Sequence, residues 1–316
     1  MPRAIVAAAL ILAANAGAAD YPALKSSVTP IAVTPRVYYV QGLPGVASAA
    51  NEGFNSNAGF VVTDGGVVVI DALGTPALGA ALLKSIRAIT PKPIRRVIVT
   101  HYHADHFYGL EPLKAAGAEV WAQSLAKEYL DSGEGVRRLE QRARDLFPWV
   151  DANMKLVRPD RWIERDELFT LGGVRFEVSY FGPAHSPEDV IVAIPQEGVI
   201  FSGDILFSGR IPFVGEADSK GWLEKIGRLL EMKPRIMVTG HGAVSRDPAR
   251  DLALTRDYLL FLRDAMGKAV EELVPFEEVY AKTDWSRFSK MPAFEAANRV
   301  NAYGQYLQME RELLKR

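Results

Sequence analysis

The segment THYHADHFYG (residues 100–109) places three of the chain's five histidines and one aspartate within six consecutive residues. It completes IRRVIVT (94–100), an apolar run rich in β-branched residues that is typical of a buried strand. Alternate residues of a strand point to one side, so His101 and His103 should lie together, with Asp105 and His106 on the turn that follows. Neutral imidazole and carboxylate suit Zn²⁺, whereas the same groups crowded together without an ion would be costly. The segment therefore predicts a metal site at the end of a strand.

The other two histidines and a further aspartate stand in the same setting. His185 follows the strand-like run VRFEVSY, His241 follows RIMVT, and Asp204 follows GVIF. No histidine is left for another role, so we expect one site at the rim of a pair of sheets, built by loops from four strands.

Strand-like and helical segments alternate along the chain. Four runs read as strands, and Asp64-Gly65-Gly66 between the second and third predicts a hairpin, because glycine adopts positive φ without steric cost. Pro76 begins a segment with helical spacing that leads into the strand before His101. The four predicted strands cover residues 36–42, 58–64, 66–73 and 94–100.

The second half of the chain repeats this alternation and then becomes helical. A short strand (EVWAQ), a helical segment over 124–146, two hairpins, a helix and the strand RIMVTG are followed after Pro248 by helices. Strands in two groups with helices outside them favour an α/β fold of two packed sheets covered on both outer faces. We expect one catalytic domain over residues 19–246, with a helical extension over 247–316 packed on it.

Composition narrows the classes of function. The chain has 316 residues, 37 Lys and Arg against 38 Asp and Glu, and no cysteine. This balance gives no support to a nucleic-acid partner, which calls for clustered positive charge, so we expect a small-molecule substrate. The absence of cysteine excludes disulfides, thiolate metal ligands and a lipid-modified N-terminal cysteine.

The N-terminus, MPRAIVAAALILAANAGAAD, has a basic start, a short apolar run and small residues after it. This pattern predicts a secretory signal peptide over residues 1–18, cleaved after Ala18 or one residue later, and hence a periplasmic or secreted protein. A buried N-terminal helix and an uncleaved anchor are the alternatives. No other segment approaches the length of a membrane span, so none is expected after cleavage.

The motif His-x-His-x-Asp-His is followed along the chain by a lone His, by SGD and by GHG. In this order, over roughly residues 36–245, the motifs resemble those of the metallo-β-lactamase-fold hydrolase superfamily. The resemblance implies a four-layer αβ/βα sandwich, with Asp71 as structural support beneath the site. It also implies one Zn²⁺ held by His101, His103 and His185, and a second held by Asp105, His106 and His241. Asp204 would bridge the two ions.

In this family two Zn²⁺ ions supply a hydroxide that attacks a carbonyl, and Asp105 would be the catalytic residue that orients it. The resemblance thus implies hydrolysis of an ester, thioester, lactone or lactam. Members that bind two irons for redox work carry Glu where this chain has His103, which favours zinc, although Fe or Mn in a mixed site stays open.

Within the superfamily the chain looks like the zinc metallohydrolases of quinoprotein relay systems, which are similar to the sulfur-oxidation accessory hydrolase. The likeness lies in SNAGFVVTDGGVVVIDALGTPALG, GPAHSPEDVIVAIP and FEAANRVNAYGQYLQMERELL. An alternative function is therefore a periplasmic metal-binding accessory protein whose partner is a quinoprotein or a sulfur-oxidising enzyme. The complete ligand set with Asp105 favours the enzyme.

A β-lactamase is a second alternative. One large subclass of β-lactamases has Cys where this chain has Asp204, and Lys where it has Phe207, so the chain departs from that subclass at both positions.

Two residues are candidate substrate contacts. Phe54 is the one large aromatic group in the loop over residues 41–57, and it serves either as a lid contact or as a core residue. Arg210 could hold a substrate carboxylate or sulfur oxyanion by paired hydrogen bonds, or be a solvated surface residue. The apolar stripes of the C-terminal helices, among them Leu252 and Leu259 in the first and Tyr303 in the last, indicate core packing or a homodimer.

Overall fold

The structure, a computed structural model, describes residues 21–315. The predicted signal peptide over residues 1–18 lies outside the described residues. Twelve strands in the described part form two sheets. In spatial order, the first sheet contains β1 (Pro30–Ala32), β2 (Val37–Val40), β3 (Ala58–Thr63), β4 (Gly66–Ile70), β5 (Ile94–Ile98), β6 (Glu119–Gln123) and β7 (Arg161–Ile163). The second contains β12 (Ile236–Val238), β11 (Val199–Phe201), β10 (Val190–Ile194), β9 (Val174–Tyr180) and β8 (Glu167–Leu171).

Nine α-helices within residues 21–315 surround these sheets, and none is long and apolar enough to cross a membrane. The helices are α1 (Pro76–Ile89), α2 (Ala104–Phe107), α3 (Leu110–Ala115), α4 (Ala126–Asp131), α5 (Glu134–Asp145), α6 (Ser219–Glu231), α7 (Pro248–Glu271), α8 (Phe276–Lys282) and α9 (Phe294–Leu313). Two short 3₁₀ segments also occur in this part of the chain: Ala49–Asn51 lies between β2 and β3, and Gly203–Ile205 lies between β11 and α6.

A hairpin and a strand–helix–strand unit deliver the histidine segment to the sheet rim. β3 and β4 pair antiparallel around the Asp64–Gly66 turn, and β4 pairs parallel with β5 after the α1 crossover. The Thr75 side chain caps α1 by accepting a hydrogen bond from the Leu78 N–H at 3.2 Å, and Pro76 supplies a helix-compatible φ at its first position. The sequence prediction of this unit is confirmed.

Apolar side chains form three layers: one between the two sheets, and one between each sheet and its helices. Both faces of a central strand are therefore buried, so both are apolar. In β4, Val67 and Val69 pack with the helices α1 and α3, whereas Val68 and Ile70 pack between the two sheets. β10 behaves in the same way in the second sheet, between the inter-sheet core and the helices α6, α7 and α9. The order helix, sheet, sheet, helix is the four-layer sandwich expected from the sequence.

The C-terminal helical region begins with α7 and covers the second sheet. Leu252 and Leu259 of α7 are fully buried in its core, as a core stripe requires. In α9 the buried face is largely polar instead, with Asn298 and Asn301 inside and Tyr303 48% exposed. Tyr303 is therefore not a core residue, and the homodimer contact stays a prediction; buried amides with hydrogen-bond partners occupy much of the inward face of α9.

Candidate metal centre

All seven predicted ligands lie at the same rim of the two sheets. His101 and His103 follow β5, and α2 carries Asp105 and His106 on a short helical turn rather than the plain turn expected. His185 lies between β9 and β10, and His241 follows β12. Asp204 lies on the 3₁₀ segment after β11, in contact with Gly240, where any side chain would collide with its carboxylate.

The seven side chains form two groups, in each of which the donor atoms lie within 4.8 Å of one another. Asp204 contacts members of both groups. Its Oδ2 lies 3.2 Å from His185 Nε2 and 3.3 Å from His241 Nε2, and its Oδ1 lies 3.3 Å from His106 Nε2. One group contains His101, His103, His185 and Asp204, and the other contains Asp105, His106 and His241.

Hydrogen bonds behind the rings fix which nitrogen faces the centre. His106 Nδ1 donates to Asp71 Oδ2 at 2.9 Å, and His241 Nδ1 donates to the Asn55 carbonyl at 2.7 Å. The Thr100 hydroxyl donates to Asp71 at 2.8 Å, so its oxygen accepts from His101 Nδ1 at 3.1 Å. Each of these rings therefore directs its Nε2 atom at the centre, which is the atom that would bind a metal ion there.

Asp71 supports these contacts from below. Its Oδ1 also accepts from the Thr100 N–H at 2.7 Å, and its backbone has φ 60°, in the left-handed region that non-glycine residues seldom adopt. Such a conformation costs on the order of 1 kcal/mol or more and persists where the surroundings determine it. The position of Asp71 agrees with the supporting role implied by the family resemblance.

The donor atoms are the kind that a metal ion satisfies. Within residues 21–315, His101 Nε2, His106 Nε2 and Asp204 Oδ1 are buried without a hydrogen-bond partner. His185 Nε2 faces His103 Nδ1 at 2.9 Å. Buried nitrogen and oxygen atoms left unpaired are costly, and an ion between them would remove that cost. A set of imidazole nitrogens and carboxylate oxygens fits zinc.

Charge states favour metal binding at neutral pH. Burial, reinforced by His185, lowers the pKa of His103 to about 3, so its imidazole is neutral. Burial alone would raise the pKa of Asp105, but His106 and His241 outweigh it and lower the value to about 2. The pKa of Asp204 lies well below its usual value for the same reason. Neutral imidazoles and ionised carboxylates are the forms that ligate metals.

His106 and His185 behave differently in the absence of an ion. Burial disfavours the charged form of both rings, but nearby carboxylates, Asp204 first among them, outweigh it and raise both pKa values. The metal-free protein therefore favours the protonated form of both rings more than free histidine does, and an ion that binds there competes with those protons.

Sequence reasoning missed the segment Asn55–Asn57. Asn55 Nδ2 donates to Asp105 Oδ2 at 2.9 Å, and the Ser56 hydroxyl donates to the Asp105 carbonyl. Asn57 Nδ2 donates to the Thr239 carbonyl at 2.8 Å and so ties this segment to the loop of His241. The only available signal was three consecutive short polar residues directly before an apolar strand.

Phe54, proposed as a lid contact or a core residue, is 2% exposed and packs in the core between the first sheet and its helices. This burial favours the core interpretation. The next residue, Asn55, is the one that reaches the centre.

Arg210 is buried, in contrast to a solvated surface arginine. It is 6% exposed, and its Nη1 donates to the Gly45 carbonyl at 2.9 Å. Burial lowers the pKa of its guanidinium, whereas the nearby Asp204 and Asp105 raise it. Its guanidinium carbon lies 5.8 Å from the centroid of the Phe207 ring, which stacks on His241 at 5.0 Å, so the cationic group is close to the ligand groups.

Comparison with known proteins agrees with this geometry. Residues 51–241 match the model of the family described as the metallo-beta-lactamase superfamily. A metallo-beta-lactamase type 2 from Elizabethkingia meningoseptica is 27% identical over 193 residues, which span 60% of this chain and 69% of that protein. A linear primary-alkylsulfatase from a Pseudomonas species is 22% identical over 236 residues, which span 63% of this chain and 44% of that protein.

Among solved structures, the inverting sec-alkylsulfatase Pisa1 from a Pseudomonas species superposes with a TM-score of 0.65 and 23% identity. The match covers 89% of this chain and 50% of the alkylsulfatase, so the chain spans about half the length of that enzyme. Residues 1–246 make up less than 89% of this chain, so a match that covers 89% of it includes part of the C-terminal helical region.

Proposed function

The chain belongs to the metallo-beta-lactamase superfamily, a superfamily of metal-dependent hydrolases, and on that premise we propose that it is a dinuclear zinc hydrolase acting on an ester, thioester, lactone or lactam. The observation that carries the proposal is the contact of Asp204 with both groups of ligands. His101, His103 and His185 would hold one ion, and Asp105 and His106 with His241 the other, with Asp204 between them. Zinc in such a site lowers the pKa of coordinated water and polarises the scissile bond.

The residues of this chain orient the reactants. Asp105 is ionised at neutral pH, and Asn55 holds its carboxylate by a 2.9 Å hydrogen bond. It would accept a hydrogen bond from the attacking water and so direct a lone pair at the substrate. Asp71 and the Asn55 carbonyl keep His106 and His241 in fixed orientations, which limits reorganisation during turnover.

Hydrolysis of a sulfate ester is a second candidate. The buried guanidinium of Arg210 beside the ligand groups favours it, because guanidinium pairs well with oxyanions. Two relatives bear the name alkylsulfatase, although at their low identity the likeness shows the fold alone.

The periplasmic accessory protein and the β-lactamase stay as alternatives to be separated by experiment. We propose a periplasmic or secreted location from the N-terminal pattern alone. The N-terminal residue of the mature protein, purified from its native compartment, tests this: Ala19 or Asp20 is expected, and an intact Met1 would contradict it.

Turnover of the zinc-loaded protein against a small panel tests the function. The panel contains a chromogenic cephalosporin, a thioester, a lactone, a carboxylic ester, a phosphotriester and an aryl sulfate, each also run with Asp105→Asn. Hydrolysis of a compound by wild type that is lost in the variant would support the hydrolase function and identify the type of bond that is cleaved. Silence across the panel in protein that holds two zinc ions would contradict it and favour the accessory protein.

A further inference from the structure

Arg210 has a hydrogen-bonding edge that no residue within 21–315 uses. Nη1 is committed to the Gly45 carbonyl, whereas Nε is buried and has no partner in this part of the chain. A buried guanidinium loses the hydration that it has in water, so an unpaired donor on it is costly. The guanidinium carbon lies 5.8 Å from the centroid of the Phe207 ring, and that ring stacks on the ligand His241 with the ring centroids 5.0 Å apart, so the guanidinium lies one aromatic ring away from the metal-ligand groups.

The charge balance of the loaded centre favours an anion at this place. Asp71, Asp105 and Asp204 are the carboxylates in contact with the ligating histidines. Two divalent ions would balance these three charges together with one metal-bound hydroxide, so the positive charge of Arg210 is left without a counter-charge. A buried cation is stabilised when an anionic group pairs with it. A substrate that carries an oxyanion in addition to its scissile bond meets this requirement.

The segment that follows Arg210 is held by helix α9, outside the residues that match the family model. The Asn301 side-chain oxygen accepts from the Val214 N–H at 2.8 Å and the Gly215 N–H at 3.3 Å, and its amide donates to the Pro212 carbonyl at 2.8 Å. Asn301 is fully buried. At Gly304, one turn further along α9, a side chain would collide with the Gly215 carbonyl.

Further contacts make this attachment rigid. The Ile211 N–H donates to the Pro292 carbonyl at 3.3 Å, directly after Arg210. Asn301 Nδ2 also donates to the Tyr258 hydroxyl of α7 at 3.1 Å. The backbone from Ile211 to Gly215 is thus fixed by the C-terminal helical region, whereas the guanidinium itself is fixed by the loop that contains Gly45.

We propose that Arg210 binds an oxyanion of the substrate, a carboxylate or a sulfate group, and that Asn301 of the C-terminal helical region is a positioning residue for it. The proposal rests on the proposed hydrolase function. Helix α9 would then contribute to substrate selection, because its Asn301 fixes the backbone segment that directly follows Arg210.

Matched esters separate the anion contact from the chemistry. 4-Nitrophenyl acetate and mono-4-nitrophenyl succinate share a leaving group and differ in one carboxylate, and 4-nitrophenyl sulfate tests the sulfate arm. We expect Arg210→Gln to raise KM for the anionic ester roughly 10-fold or more, as loss of a charged hydrogen bond implies, and to leave KM for the acetate ester within about 2-fold. Arg96→Gln, which removes a half-buried guanidinium from the middle of β5, is the control and should change neither value.

Equilibrium binding gives a readout that does not need turnover. Titration of zinc-loaded protein with succinate and with methyl sulfate, followed by calorimetry, should show weaker binding in Arg210→Gln at unchanged zinc content. An equal Kd in wild type and variant for both anions would overturn the proposal. If no ester is hydrolysed by wild type, the proposed hydrolase function fails while this comparison still decides the anion site.

Asn301 is tested by the pattern of its kinetic effect. Asn301→Ala should raise KM for the succinate ester and leave kcat and KM for the acetate ester unchanged. Asn301→Asp keeps an acceptor for the Val214 and Gly215 N–H groups and should restore part of the loss; it also serves if the alanine variant does not fold. A fall in kcat for both esters at unchanged KM would assign Asn301 a merely structural role.

Discussion

Asp105 is held by Asn55 on one side and faces His241 Nε2 at 3.4 Å on the other. Replacing it with asparagine keeps the volume and removes the charge. We expect Asp105→Asn to lower kcat roughly 100-fold or more, which is the usual size of a lost proton-transfer partner. The melting temperature should stay within a few degrees of wild type. A kcat equal to wild type at equal zinc content would contradict the role given to Asp105.

Protons bound by His106 and His185 must leave when an ion enters. Because carboxylates raise the pKa of both rings, zinc binding at pH 7 should release protons. Calorimetric titration in two buffers with different ionisation enthalpies measures the number of protons released. His106→Gln should release fewer protons, and a binding enthalpy that is the same in both buffers would refute the prediction.

Asp189 makes stability depend on pH. Burial raises its pKa to about 7, although His185 and the hydrogen bonds from Ser186 oppose the rise. An unfolded aspartate has a pKa of about 3.9, so between roughly pH 4 and 7 the folded state keeps a proton that the unfolded state loses. The free energy of unfolding that Asp189 contributes is therefore present below about pH 4 and is lost as pH rises through about 7.

Asp189→Asn replaces the titrating carboxyl group with an amide, so position 189 no longer binds a proton in either the folded or the unfolded state. Between pH 4 and 7 the free energy of unfolding of the metal-free variant should fall less steeply than that of wild type, by up to about 1.4 kcal/mol per pH unit. Urea unfolding at several pH values measures the two slopes. Parallel slopes would show that the Asp189 side chain is not protonated in the folded protein.

At the scale of elements, the turn that carries His106 is fixed by backbone contacts with α1 and with the connection that precedes α1. The Ala72 N–H donates to the His106 carbonyl at 2.8 Å, and a side chain at Gly79 would collide with the Gly109 carbonyl. Gly79→Ala must separate α1 from this turn. We expect a loss of about 1–3 kcal/mol in unfolding free energy and weaker zinc binding.

Gly227→Ala in α6 is the matched control, because a Cβ there meets no atom within 4 Å. It should be neutral or stabilising by up to about 1 kcal/mol, since alanine favours helix over glycine. Urea unfolding and zinc affinity of the two variants compare them. Equal effects would show that the contact between Gly79 and Gly109 does not matter.

The sequence predicted those elements whose signals are local. The Asp64–Gly66 hairpin, Pro76 at the start of α1 and the strand before His101 depend on residues close together in the chain. β1 and β7, each of three residues, are too short to show a period of two. The buried amides of α9 could not be predicted, because polar residues with helical spacing read as a solvated face unless their distant partners are known.

At the scale of the whole molecule, the centre joins the two sheets. His101 comes from the first sheet, whereas Asp204 and His241 come from the second, and Asn57 ties the two sides through the Thr239 carbonyl. The histidine spacing and strand ends were sufficient to predict which seven residues meet. Contacts such as Asn55 with Asp105, or Asn301 with the segment after Arg210, lie 50 or more positions apart and required the folded chain.

We expect one chain to bind two metal ions through these seven residues. Zinc content per chain, measured by elemental analysis after metal-free protein is loaded and dialysed against trace zinc, tests it most directly. We expect two ions for wild type, about one for His241→Ala, which removes a ligand of the second group only, and fewer still for Asp204→Ala. One ion or none in wild type, or a zinc content that neither substitution changes, would show that these seven residues do not form a dinuclear site.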